Sequence, residues 1–181
     1  MEHESAIIDA VCSAITGLKC DLRLKNVGNK EWTAVIKSEL CRVGGGNPFG
    51  YRVAASGVTK KDYGEWLYDV VWLDYAEGDT RQLLSVPFVA ESEWGNDGDI
   101  NDDFEKLLVA RADVRLMIFG EANPDNDATV ERLKSYVNGF SGTQKGDVYL
   151  LAMYENREAW FRYCRIDVGI SAEWLDPPTI G

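Results

Sequence analysis

Near the start of the chain, apolar residues recur at helical spacing. Ile7, Ile8, Val11, Cys12 and Ile15 fall on one face, which predicts a helix from Ser5 to Ile15, with Gly17 ending it. Lys19 to Gly28 carries no decisive period, and Leu22, Leu24 and Asn26 suit a short strand or a loop equally. Trp32, Val35, Ile36 and Leu40 make a second stripe, a helix from Asn29 to Leu40 that Asn29 can cap. Gly44-Gly45-Gly46-Asn47-Pro48 breaks the pattern. Alternation then takes over in three strand candidates: Tyr51 to Val58, Glu65 to Asp74 and Leu84 to Trp94, with a hairpin turn at Glu77-Gly78-Asp79. Gly95 to Asp103 reads as an acidic loop from which Asp102 or Asp103 caps a helix running to Ala112. A short apolar strand, Val114 to Phe119, follows. A helix spans Asp127 to Phe140, and two strands, Asp147 to Tyr154 and Trp160 to Asp167, turn at Asn156-Arg157-Glu158. The tail at Pro177-Pro178 is expected to pack loosely.

This order of elements predicts an α/β (α+β) chain, a central mixed sheet flanked by helices. Its 181 residues suit a single domain. Helices occupy residues 1–43, the core 48–167 and a tail 168–181. At 45% hydrophobic residues, a buried core is expected rather than disorder.

Charge and cysteines narrow the chemistry. The net charge is -11, which counts against a broadly basic nucleic-acid binder but leaves room for one basic cleft. Cys12, Cys20, Cys41 and Cys164 form no CxxC pair, and His3 is the only histidine, so neither a zinc site of usual spacing nor Ser-His or Cys-His catalysis is expected. The glycine run lacks the GxxxxGK[ST] form of a phosphate loop. No signal peptide or apolar run of membrane-spanning length is legible, and reduced thiols fit a cytoplasmic protein.

The candidate chemistry lies on the central hairpin. Glu91 and Glu93, two apart on a strand, share a face. Folding the hairpin brings Asp69 within about one or two pairs of Glu91. Three carboxylates on one face repel one another unless neutralised, and Mg²⁺ or Mn²⁺ would do so through oxygen ligands. Such an ion could acidify a bound water and orient a phosphodiester. Against this stands the ordinary reading of strand carboxylates as a solvated face. Glu91 resists that reading, because it closes the apolar run Val86 to Ala90.

Asp69 followed by Val89-Ala90-Glu91-Ser92-Glu93 resembles the D...(D/E)xK signature of the PD-(D/E)xK nuclease superfamily. The resemblance spans about residues 30 to 120: Glu39 stands late in the preceding helix, and Phe104 to Leu108 and then Val114 to Phe119 follow the signature. It implies a restriction endonuclease-like fold and a Mg²⁺- or Mn²⁺-dependent phosphodiesterase acting on nucleic acid, DNA first. It also implies homodimeric assembly, as in many restriction-type nucleases. Asp69 and Glu91 would hold the metal, Glu93 would position or activate water, and Glu39 would assist. Tyr68 replaces the common proline and Glu93 the usual lysine, as in BamHI-type enzymes; Lys106 on the next helix is the candidate for a displaced lysine. The missing lysine and the acidic charge also suit a catalytically silent domain of this fold that binds a protein partner or mimics DNA.

Other features have plainer readings. Asp97, Asp99, Asn101 and Asp102 resemble part of a calcium loop, but Asp102 stands where the glycine should be and Leu108 at the twelfth position. Lys106, Arg111, Arg115, Arg132, Lys134 and Lys145 could line a nucleic-acid cleft or form a scattered solvated surface. Among the tryptophans, Trp94 is expected to be the exposed functional one, able to stack on a base.

Overall fold

The computed structural model describes residues 2–18, 28–58, 66–77, 82–120, 126–155 and 160–176. Two helices come first, α1 (Glu2–Gly17) and α2 (Asn29–Gly45). Strands β1 (Arg52–Ala55), β2 (Val70–Tyr75) and β3 (Leu83–Glu93) follow, then α3 (Asp97–Val109), β4 (Val114–Gly120) and α4 (Asn126–Gly139). The chain closes with β5 (Val148–Glu155), β6 (Trp160–Asp167) and β7 (Ser171–Leu175). The seven strands form one mixed sheet in sequence order. β1-β2-β3 and β5-β6-β7 are antiparallel meanders, and β3-β4-β5 are parallel.

The parallel centre explains the helix placement. A parallel connection needs a crossover, supplied by α3 between β3 and β4 and by α4 between β4 and β5. Two successive right-handed crossovers in one direction put both helices on the same face. The burial pattern agrees: Phe104 and Leu107 of α3 and Val130, Leu133 and Val137 of α4 pack with Val89, Met117, Phe119 and Leu151. The opposite face carries Phe88, Ala90, Leu116, Ile118 and Leu150, covered by Ile7, Val11 and Ile15 of α1 and Ile36 and Leu40 of α2. Both faces are therefore buried, and β4 is buried throughout.

Several boundaries differ from those read in the sequence. α1 begins at Glu2, and His3 lies within it with Nε2 3.1 Å from the Tyr51 hydroxyl. α2 continues through Gly44 and Gly45 because the Trp72 indole lies against Gly44, where a Cβ would sit 2.4 Å from Trp72 Cε2. Trp72 Nε1 also donates to Leu40 O at 3.2 Å. Gly44 thus serves close packing against the sheet. Pro87 is tolerated inside β3 because the β2–β3 register shifts between Trp72 and Asp74, and pairing with β4 begins only at Phe88. Strand β7 replaces the expected loose tail: Ser171–Leu175 is short and largely exposed, so its brief alternation through Ala172 and Trp174 marks no buried face.

The acidic stretch expected to be a loop is the first two turns of α3. Asn96 caps it, accepting from the N–H of Gly98 at 2.8 Å and of Asp99 at 3.4 Å, while the Asp99 carboxylate accepts the Asn96 N–H at 3.2 Å. The turns expected at Gly78-Asp79 and Asn156 to Glu158, the ambiguous segment 19–27, Cys20 and Pro177-Pro178 lie outside the described residues. No helix among the described residues is long and apolar enough to cross a membrane.

Candidate functional site

Ligands of open α/β sheets collect at the carboxyl ends of the parallel strands. Here that end is formed by Glu91–Glu93 of β3, Phe119–Gly120 of β4 and Tyr154–Glu155 of β5. Antiparallel β2 starts at the same end, so Asp69, just ahead of it, arrives beside Glu91. Val70 pairs with Ala90, and one further step puts Asp69 opposite Glu91. The hairpin register thus brings together Asp69 and Glu91, the two of the three expected hairpin carboxylates that were assigned to the metal.

Asp69 is held from three directions. Its Oδ1 accepts from Lys37 Nζ at 2.5 Å and faces Ser56 Oγ at 3.5 Å; its Oδ2 accepts the Ser92 N–H at 3.1 Å. Lys37 Nζ also donates to Ser56 Oγ at 2.7 Å. The ammonium, on the buried face of α2, is thereby paired and hydrogen-bonded, as a buried charge must be. Its sequence signal is a lysine at helical spacing with Leu40 and Gly44, on a face that faces the sheet.

Glu91 is different. The residue is 3% exposed, and its Oε1 has no hydrogen-bond partner among the described residues. Lys106 Nζ stands 3.8 Å away, beyond hydrogen-bond reach, and is itself bonded to Asp103 Oδ1 at 2.6 Å. Burial pushes the Glu91 carboxyl up to about 8, and the negative charges of Asp69 and Asp103 add to this, while Lys106 pulls it down. Tyr68 lies close by, its hydroxyl raised by burial and by the Glu91 charge.

The other expected members are elsewhere. Glu93 has the strand parity of Glu91, but its Oε1 accepts the N–H groups of Trp94 at 2.7 Å and Gly95 at 2.5 Å. It caps the turn into α3 instead of joining the cluster. Glu39 is two residues from Lys37, about 200° around the helix, and pairs with Arg42 at 2.6 Å. It faces a groove between α1 and α2 rather than the sheet. Among the described residues, no three His, Cys, Asp or Glu side chains are gathered as an ion-holding group. Asp69 and Glu91 remain, and an orphaned carboxylate oxygen beside a second carboxylate is a donor set that suits one hard divalent cation with water completing its shell. By that test, Mg²⁺ or Mn²⁺ fits these two residues.

Apart from Lys106, the basic residues considered for a cleft do not gather on these carboxylates. Arg111 and Arg115 line a cavity of about 460 Å³ at the amino ends of β3, β4 and β5, with Asp113 and Asp147. Arg115 is committed there, with Nε on Ala110 O at 3.0 Å and Nη2 on Asp147 at 3.1 Å. Arg132 pairs with Asp97 at 3.0 Å and Lys134 with Glu131 at 2.7 Å. Asp97 and Asp99 are thus helix-end residues, not a calcium loop. Trp94 is half-buried: its Nε1 donates to Thr33 Oγ1 at 2.9 Å, and its ring covers Gly120. The exposed apolar side chains near the site are instead Trp66 and Leu67, just before Asp69.

No protein-family model matches this chain, and no curated protein or solved structure matches it significantly.

Proposed function

We propose that the chain is a Mg²⁺- or Mn²⁺-dependent phosphodiesterase acting on nucleic acid, with DNA as the first substrate to test. The observation that carries this reading is the buried Glu91 carboxyl, left with an unpartnered oxygen one strand from Asp69. A carboxyl so placed costs stability, and strongly perturbed acids in such positions mark functional sites. The element order from α2 to β4 is also the one the nuclease resemblance calls for.

Asp69 and Glu91 would hold the cation. When bound, it would lower the pKa of a water and polarise a phosphoryl oxygen. The chain's own groups do the rest. Lys37 and the Ser92 N–H fix the Asp69 carboxylate, so it need not reorganise. Lys106 places a positive charge beside Glu91, where a phosphate oxygen would approach. Glu93, in this reading, shapes the turn beneath the site. Glu39 has no part in it.

The test is cleavage of single- and double-stranded DNA with Mg²⁺ or Mn²⁺. We expect cleavage that a chelator stops and that Asp69→Asn with Glu91→Gln abolishes. Cleavage unchanged in that double variant rejects the assignment.

A second reading is a silent domain of the same architecture that engages a protein partner. It is favoured by two lysines already offsetting the carboxylates, and by the acidic α3 surface of Asp97, Asp99, Asp102 and Glu105 beside the site. Metal binding without cleavage of any nucleic acid would support it.

A further inference from the structure

Lys106 is on the outer side of α3, with half of its side chain exposed, yet it reaches toward Glu91 Oε1, a buried carboxylate oxygen that has no hydrogen-bond partner among the described residues. What sets its position is Asp103, one turn earlier on the same helix and 2.6 Å away. Such i,i+3 pairs are common and weak on open helix surfaces. The Glu131–Lys134 pair of α4 is of that kind, its acid 70% exposed. The Asp103 side chain is only 18% exposed and its charge is felt at Glu91, so this acid faces inward toward the site.

An ammonium has three N–H donors. Without Asp103, the nearest strong acceptor for Lys106 is the unpartnered Glu91 oxygen, 3.8 Å from Nζ. A Lys106–Glu91 contact would occupy the oxygen that a cation needs. Resting on the reading of this site as a metal-dependent phosphodiesterase, we propose that Asp103 is a positioning residue that holds Lys106 beside Glu91 but short of contact. The arrangement keeps the Glu91 oxygen open to a divalent cation and keeps N–H groups of Lys106 for a substrate phosphate. Lys106 and the cation are then competitors for Glu91, and Asp103 sets the balance. The third carboxylate of the site is therefore Asp103, acting through a lysine, where the sequence pointed to Glu93.

The test is a double-mutant cycle read by Mn²⁺ calorimetry at pH 8, with the metal alone, on the wild type, Asp103→Asn, Lys106→Met and the double variant. Removing the competing ammonium in Lys106→Met should tighten Mn²⁺ by about fivefold, a gain that loss of structure would not give. Asp103→Asn should weaken Mn²⁺ by a similar factor, and Asp103→Glu should restore it in part. In the Lys106→Met background, Asp103→Asn should change affinity by no more than about twofold. Equal weakening in both backgrounds, or no effect of Asp103→Asn in the wild type, overturns the proposal, as does a wild type that binds no Mn²⁺. A cycle that behaves as expected in a protein that cleaves no nucleic acid would leave Asp103 in its role and reject the phosphodiesterase reading alone.

Discussion

Glu91 and Asp69 are chemically alike, yet their surroundings give them opposite properties. Asp69 accepts from a lysine and a backbone N–H, whereas Glu91 Oε1 is buried with no hydrogen-bond partner among the described residues and a lysine out of reach. The consequence for stability has a definite sign. The unfolded Glu91 carboxyl titrates near 4.3, and burial pushes the folded one up to about 8. Between those values the folded chain keeps a proton that the unfolded chain has lost. Stability contributed by this group is therefore present in acid, falls as pH rises through that window, and levels off above it. We expect Glu91→Gln to raise metal-free stability at pH 9 by an amount on the order of 3 kcal/mol and to flatten the slope between pH 5 and 8. Thermal or urea melts across pH would show this; a variant no more stable than wild type at pH 9 would contradict it. The adjacency of Asp69 and Glu91 was legible from the hairpin, because alternation and register act over a few residues. The diversion of Glu93 was not, because the N–H groups of Trp94 and Gly95 compete for its carboxylate and strand parity ignores them. Lys37 was legible only in hindsight, as a charge on a stripe with Leu40.

At the scale of elements, apolar periodicity located the helices and most strands, while packing and caps set their ends. Gly44 keeps its place in α2 because Trp72 lies on it. Gly44→Ala should therefore destabilise the fold by about 2 kcal/mol through overpacking, although alanine is the better helix former. A melting temperature equal to or above that of the wild type would show that the indole can move aside. The start of α3 depends on Asn96, whose side chain accepts from Gly98 and Asp99. Asn96→Ala should cost about 1 kcal/mol, and because α3 carries Asp103 and Lys106, it should also loosen their geometry. Hydrogen exchange localised to residues 97–100 would report the fraying, and unchanged protection there would count against the cap. Aspartates suit a loop and a first helical turn equally, and here the Asn96–Asp99 capping box decides for the helix.

For the whole molecule, the mixed sheet followed from the order of elements, because a helix between two strands enforces the parallel pairing of β3, β4 and β5. Charge distribution was less legible. The six basic residues considered for a cleft divide between the two ends of the sheet and the helix surfaces, most of them paired with acids. A polyanion approaching a chain of net charge -11 gains little from long-range attraction. DNA binding should therefore be weak without divalent cation and should show a shallow salt slope, because few phosphates are neutralised. Fluorescence anisotropy with labelled DNA in chelator would check this, and tight, steeply salt-dependent binding would contradict it.

The central claim is that Asp69 and Glu91 share one divalent cation, and Mn²⁺ calorimetry at pH 8 on the wild type and on Asp69→Asn with Glu91→Gln tests it most directly. The account predicts one ion per chain in the wild type, bound with proton release below pH 8 because Glu91 must ionise, and none in the double variant. Equal Mn²⁺ binding in both proteins, or no binding in either, would contradict it.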